Sequence, residues 1–510
     1  MTLSFTQRTK RALLLAFFIF VSKAATDDHE RQSDASPLSP DEQSFLKIPD
    51  AASARSSLYF ITREPHVAGT KGDRLMADFV ATEFQQAGIP NVSTFDLQVL
   101  LNYPKSPPQL ELVEPYFDRD RRFVGRPSNT TTRFSSSNLR KKHHPHKLIY
   151  KATLSEDLVD QALDDTTDTY WRNHTFHGYS PSGRIENSHV VYANYGRPRD
   201  FDLLEKSGVS VKGRVVLVRY GQCFRGLKVR NAQQRGAVSV LIYSDPADDG
   251  YSIGKVYPEG PWRPPSGVQR GSVQFNSACA GDPLRADPRY RTQLNTSVQE
   301  LCGVDSIQEL IPSIPSLPLS YRDALPILQN LGGPVAADIS MDFVGGLGNV
   351  TYRLGPSRGL VNMVVDNEDT TTDIPNVVGV IPGTLSPEKD MPVLLGNHRD
   401  AWVYGGADPN SGTATLIEVA RGLGRLYADH NWRPRRSIYL LSWSGEEYGL
   451  LGSTGWAELN PAIMKRALAY LNTDTVVSGD RLSVSASPSL ISLWKAVLGD
   501  LNQTVITNDQ

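Results

Sequence analysis

Residues 396–412 read GNHRDAWVYGGADPNSG, and they follow directly on the apolar stretch Val393-Leu394-Leu395. One histidine (His398), two aspartates (Asp400, Asp408) and several glycines thus leave an apolar run at once. Such groups lose hydration only at a cost unless they are paired or bound to a metal. Two similar placements follow downstream: Glu446-Glu447 just after SIYLLSW (437–443), and Asp474 just after an apolar segment near 467–471. Each has an ordinary reading by itself. Asp408 before Pro409 is a good helix opening, and a Glu-Glu pair on a solvated turn carries no chemistry. As a set they point to a metal centre, because imidazole with carboxylates suits zinc and open positions suit hydrolysis. Adjacent carboxylates repel unless a cation or hydrogen bonds hold them. The Glu446-Glu447 pair therefore supplies one metal ligand and one free carboxylate to act as general base.

The elements that must position these residues are strand–loop–helix units. A strand over Pro392–Gly396 ends at His398, and an amphipathic helix after Asp408 carries Leu416, Val419, Leu423 and Leu426 at helical spacing. A second strand covers 437–443 and a third Ala467–Leu471. In open α/β sheets, ligands bind outside the carboxyl ends of the strands. From 372 onward the alternation fits a mostly parallel sheet covered by helices. Upstream, residues 45–98 read as helix, loop, helix and strand, with Leu75, Phe79 and Phe84 forming one buried stripe on a helix near Gly72–Gly88. From 187, the segments HVVYANY, GRVVLVRYG, KVRNAQQRG and VSVLIYSD alternate as strand, strand, helix and strand, a compact α/β pattern. Proline-rich loops follow at WRPPSGVQRG and near 311–319. Residues 117–147 are basic and rich in Ser/Thr; their His143, His144 and His146 read as a solvated loop.

The chain has 510 residues, a formal charge of −2 and 39% apolar residues, enough for two to four domains and without the basic balance of a nucleic-acid binder. Lys10 and Arg11 precede ten apolar residues, ALLLAFFIFV, and the small residues Ala24 and Ala25. That run is short of the roughly 20 residues a membrane-spanning helix needs, and it reads as a secretory signal peptide or a short anchor. Six Asn-X-Ser/Thr acceptors, at Asn91, Asn129, Asn173, Asn295, Asn349 and Asn502, agree with secretion. Three cysteines, Cys223, Cys279 and Cys302, allow at most one disulfide. Residues 26–44 read as a flexible lead-in.

GNHRDAWVYGGADPNSGTA, WRPRRSIYLLSWSGEEYGLLGSTGWAE and AYLNTDT resemble the peptidase domain of the glutamate carboxypeptidase II and transferrin receptor family. VKGRVVLVRYGQCFRGLKVRNAQQRGAVSVLIYSDPADD resembles that family's protease-associated apical domain. The resemblance covers about residues 50–510. It implies an α/β zinc-exopeptidase fold, a mixed sheet flanked by helices with an inserted apical domain. The implied domains are a leader (1–25), the lead-in (26–44), a first peptidase part (45–100), the apical domain (101–371) and a second peptidase part (372–510).

By position, the resemblance implies that His398 and Asp474 bind one zinc, that Asp408 bridges two, and that Glu447 binds the second. Glu446 becomes the general base, and Arg225 grips the terminal carboxylate of a short peptide substrate. Ser272 and Ser483 stand where the glutamate-specific enzyme has an asparagine and an arginine. Gly455 replaces a glutamate of the family's structural calcium site. The family's fifth zinc ligand, a histidine, and its dimerisation domain lie beyond the end of this sequence. The expectation is a zinc-dependent carboxypeptidase-like exopeptidase of the secretory pathway. The alternatives are a non-catalytic binding homologue and an aminopeptidase.

Overall fold

VLLGNH, the strand that leads into His398, is buried at every residue. The computed structural model describes residues 38–115, 147–160, 164–286, 302–477 and 484–500. It divides into two compact units, one drawing on 1–98, 373–446 and 451–510, the other on 99–372 and 447–450. Helices α1 (Pro40–Phe45), α2 (Ala51–Ile61) and α3 (Lys71–Gln86) of the first unit precede strand β1 (Asn91–Pro104). There follow β2 (Asn367–Ile381), β3 (Val393–His398), α4 (Asn410–Asp429), β4 (Ile438–Trp443), the single turn α5 (Glu446–Gly449), α6 (Leu451–Leu459) and β5 (Ala469–Asn472). The strands form one mixed sheet in the order β1-β2-β4-β3-β5. β4 runs antiparallel to β2, while β4, β3 and β5 are mutually parallel. His398 is level with Trp443, and Gly396 with Asn472, so three parallel strands finish at one end of the sheet.

Alternation along β3 divides its side chains between two apolar layers. Val393 and Leu395 pack with Met76, Val80 and Phe84 of α3 and with Leu416, Val419, Leu423 and Leu426 of α4. Leu394 faces the other way, with Leu441, Trp443 and Trp456. Each fully buried side chain of this size contributes about 1.5–3 kcal/mol. Helix α4 approaches its neighbours closely enough to need glycine twice. A Cβ on Gly422 would stand 2.4 Å from the Phe45 ring, and one on Gly424 would stand 1.9 Å from the Ala87 carbonyl oxygen.

Three sequence expectations need correction. Leu75 is 46% exposed, and the buried face of α3 is instead Asp73, Met76, Ala77, Val80 and Phe84. The helix is turned so that Asp73 enters the interior, where Arg399 receives it. The lead-in expected over 26–44 contains α1, opened by a reciprocal Ser39–Glu42 capping box, with Phe45 fully buried. The proline-rich loop near 311–319 contains the strand Ser316–Leu319. That strand is at the edge of its sheet, where a proline's missing donor is tolerated. The leader, residues 26–37, the 143–146 histidines and Ser483 lie outside the described residues.

The second unit is built on a parallel sheet ordered 316–319, 239–243, 215–219, 190–192. Helix Arg225–Gln234 connects two of its fully buried strands, Val215–Arg219 and Ser239–Tyr243. An antiparallel sheet ordered 148–151, 109–113, 360–365, 183–188 completes the unit. Cys279 and Cys302 form a disulfide, and Cys223 is free and half-buried. The described glycosylation acceptors Asn91, Asn173 and Asn349 are all exposed.

The close approach at α4 has a direct test. Gly424→Ala should lower the stability of the chain by about 1–3 kcal/mol through overpacking against Ala87, read from the urea midpoint, while Gly406→Ala, which meets nothing within 4 Å, should leave it unchanged.

Candidate active site

The apolar strands end where the polar groups begin, and a net of buried hydrogen bonds fixes the crossing. Asn397, fully buried, accepts from Thr413 Oγ1 of α4 (2.7 Å) and donates to the Thr473 carbonyl after β5 (3.0 Å). The first turn of α4 approaches the same segment so closely that a Cβ on Gly412 would stand 1.6 Å from the Thr473 carbonyl oxygen and 2.1 Å from that of Asp474. The loop from 399 to 409 is held from the other side by His66, whose backbone pairs with Ala401 and Val403 and whose ring receives Asn410 Nδ2 at 2.9 Å. Burial lowers the pKa of His66 and so favours the neutral ring.

These constraints gather the predicted residues. His398 Nε2 lies 3.1 Å from Asp474 Oδ1, 3.5 Å from Asp408 Oδ1 and 3.6 Å from Glu446 Oε2. One donor atom each from His398, Asp408 and Asp474 falls within 4.8 Å of the others. Asp408 is not a helix cap: α4 begins at Asn410 after Pro409, and the Asp408 side chain, 62% exposed, faces His398. Glu447 is half-buried on the turn that begins at Glu446. In the other unit, Arg225 begins helix Arg225–Gln234 with its guanidinium 5.2 Å from the Phe224 ring, and a Cβ on Gly271 would collide with it. No hydrogen bond or ion pair to Arg225 occurs among the described residues. Ser272 is fully buried, with its hydroxyl donating to the Tyr448 carbonyl (2.8 Å). A side chain at Gly455 would meet Leu97 at 2.6 Å.

The sequence reading missed what stands behind the cluster. Asp400 is fully buried, its carbonyl 3.1 Å and its carboxylate 3.4 Å from His398 Nδ1. Its carboxylate also accepts the backbone N–H of Glu446 (3.1 Å). A histidine whose Nδ1 is engaged by an acidic residue presents Nε2 as the metal-facing atom, the usual outer-sphere arrangement of metal sites. The spacing His-X-Asp in HRD was the available signal. Beyond Asp400, Arg399 and Asp73 form a fully buried ion pair at 3.1 Å. Arg399 also donates to the carbonyls of Ser442 (3.0 Å) and Pro375, while Asp73 accepts from Ser444 Oγ (2.5 Å) and Gly69 N (2.9 Å).

Electrostatics separate the roles. Burial opposes charge on His398, but hydrogen bonds with Asp400, Asp408 and Asp474 prevail and raise its pKa well above the usual value. Burial works against the Asp474 carboxylate too, and its hydrogen bond to His398 holds it low. Burial pushes Glu446 up to about 7, with the carboxylates of Asp400, Asp474 and Asp408 adding to it and His398 opposing. A nitrogen and two carboxylates with an anchored imidazole fit zinc. A third carboxylate close to neutrality in its pKa fits a proton carrier.

Residues 376–508 match peptidase family M28, and residues 180–274 match the PA domain. Residues 376–508 are therefore similar to peptidase family M28. The M28 match holds His398, Asp408, Glu446, Glu447 and Asp474, and the PA match holds Arg225 and Ser272. A probable glutamate carboxypeptidase of Arthroderma benhamiae is 40% identical over 466 residues, which are 89% of this chain and 57% of that protein. A glutamate carboxypeptidase 2 homolog of Caenorhabditis briggsae is 36% identical over 484 residues, 92% of this chain and 56% of that one. Aminopeptidase NAALADL1 of Rattus norvegicus is 33% identical over 463 residues, 87% and 55% of the two chains. This chain thus spans little more than half the length of these relatives.

Two measurements follow from the site's buried charges. Asp73→Ala and Arg399→Ala should each cost about 3–5 kcal/mol, because each leaves one buried charge alone. Asp73→Ala with Arg399→Ala should cost less than the sum of the single changes in a urea-unfolding cycle. The second concerns Glu446, whose folded pKa of about 7 exceeds the ordinary 4.5. The folded, metal-free chain therefore holds a proton longer than the unfolded one, and stability falls as pH rises from 4.5 to 7. Glu446→Gln should remove this slope and be the more stable metal-free protein above pH 7, by roughly 1–2 kcal/mol after discounting for partial exposure.

Proposed function

We propose that this chain is the catalytic part of a zinc-dependent exopeptidase of glutamate carboxypeptidase type, which releases the C-terminal residue of short peptides. The observation that carries this reading is the His398–Asp408–Asp474 donor cluster with Glu446 placed 3.6 Å from the same imidazole nitrogen. His398, Asp408 and Asp474 would hold one zinc, Asp408 and Glu447 would serve a second, and Asp400 orients His398. Bound zinc supplies Lewis acidity, polarising the scissile carbonyl and making water a better acid. Glu446 takes a proton from the attacking water and returns it to the leaving amine, a task that a carboxyl with a pKa near 7 can perform in both directions. The M28 match and the relatives named glutamate carboxypeptidase support the reaction class.

The choice of chain end rests on Arg225. A half-buried guanidinium without a described partner is suited to a bidentate grip on a terminal carboxylate. A relative named aminopeptidase keeps the opposite polarity as the second reading. Exposed acceptors at Asn91, Asn173 and Asn349, with the apolar leader, support a route through the secretory pathway and glycosylation.

Glu446→Gln should lower peptide release roughly 10²–10⁴-fold while leaving bound zinc in place, whereas His398→Ala should lose zinc, measured by metal analysis after dialysis. Chelation should abolish release, and added zinc should restore it. A dipeptide blocked at its amino end should be cleaved and one amidated at its carboxyl end should not; the reverse pattern overturns the carboxypeptidase reading and leaves the aminopeptidase one.

A further inference from the structure

The turn that carries the two glutamates has an unusual backbone. Gly445 has φ +73°, Gly449 φ +150° and Leu450 φ +63°. Leu450 is a bulky residue in the left-handed region, a conformation that persists only where the surroundings hold it. Those surroundings lie in the second unit, to which Glu447–Leu450 belong, whereas Glu446 closes a segment of the first.

Four groups grip the turn, and they grip backbone or aromatic ring. Ser272 Oγ donates to the Tyr448 carbonyl at 2.8 Å and accepts from Gln274 N at 3.1 Å. Gly281 N donates to the Gly449 carbonyl at 2.7 Å. Tyr448, fully buried, donates its hydroxyl to the Asn102 carbonyl at 2.8 Å and packs edge-on to Tyr179 and Tyr103. Gln274 Oε1 fills the place where a side chain on Gly449 would begin, 2.1 Å from an ideal Cβ. Its amide nitrogen meanwhile donates to the Gly281 carbonyl at 2.7 Å. Ser272 therefore has no hydroxyl proton to offer a substrate, since it is committed to the turn.

We propose that Ser272 is a positioning residue for peptide hydrolysis. Through the Tyr448 carbonyl it fixes the backbone that carries Glu447, and by direct chain continuity Glu446, so that the base and the neighbouring carboxylate keep one arrangement. Glycine suits position 449 because its φ of +150° is one that side chains rarely adopt, and the latch offsets the strain at Leu450.

This inference rests on the peptidase reading, so the test keeps the two apart. Ser272→Ala and Ser272→Thr are made in the 510-residue chain. Amide exchange of residues 445–450, zinc affinity by chelator competition, and kcat and KM are then compared with wild type. The expected result for Ser272→Ala is at least tenfold faster exchange in the turn and zinc affinity weaker by roughly 10–100-fold, the usual effect of losing an outer-sphere contact. kcat should fall with KM little changed, and Ser272→Thr, which keeps the hydroxyl, should restore all three. Unchanged exchange overturns the proposal. So does faster exchange with wild-type zinc affinity and kcat, which would make the latch structural only. If the wild-type chain neither binds zinc nor cleaves peptides, the peptidase reading falls, and the exchange comparison still decides whether Ser272 orders the turn.

Discussion

An arginine and an aspartate sealed away from water, Arg399 and Asp73, set the terms for everything around them. Removing two charges from water costs several kcal/mol each, and their mutual attraction repays it only if every remaining donor and acceptor is served. Burial pushes Asp73 up to about 6 even with Arg399 beside it. The structure converges on the pair: the Ser442 carbonyl and the Ser444 hydroxyl from β4 and its end, the Pro375 carbonyl from β2, and Gly69 from the approach to α3, which leave only Arg399 Nε of the guanidinium without a hydrogen bond. Those contacts lock the end of β3 against the end of β4 and the start of α3. His398 and Glu446 extend from the same two strand ends, so the geometry of the site follows from the neutralisation of a charge it does not contain.

The site repeats this logic at smaller scale. Asp400 serves two masters, the Nδ1 side of His398 and the backbone of Glu446. A single carboxylate thereby sets the orientation of a ligand and the placement of a base. Asn397 does the same for backbone, tying α4 to the segment that leads to Asp474. Gly412 permits the approach, since any side chain there would push that segment outward. Preorganisation of this kind lets the polar groups hold their places before substrate arrives, which is where most of an active site's electrostatic advantage comes from.

The legible part of this architecture was the part with local periodicity. Strands β3 and β4 announce themselves as apolar runs, α4 by its buried Leu416, Val419, Leu423 and Leu426, and the chemistry by lying at strand ends. Asp73 was invisible because its partner is 326 residues away, and no local pattern encodes a tertiary ion pair. The same blindness misphased α3. Counting apolar spacings put Leu75 inside, but the helix is rotated by the need to deliver a carboxylate to Arg399. Ser316–Leu319 was read as loop because proline argues against strand in general, and only sheet topology reveals an edge position where that argument lapses. Asp400 was in plain view, two residues from His398, and lacked only the three-dimensional fact that it lies behind the ring.

The span between Asp73 and Arg399 also fixes an order of events during synthesis. A ribosome adds about 5–20 residues each second, so the separation of 326 positions represents roughly 15–65 seconds of translation. Throughout that interval α3 exists without its counter-charge, and Phe84 without the α4 face that later covers it. Residues 99–372, which carry the core of the other unit, are synthesised within the same wait. The sheet of the first unit therefore lacks β3, β4 and β5 until the segment 99–372 has been made.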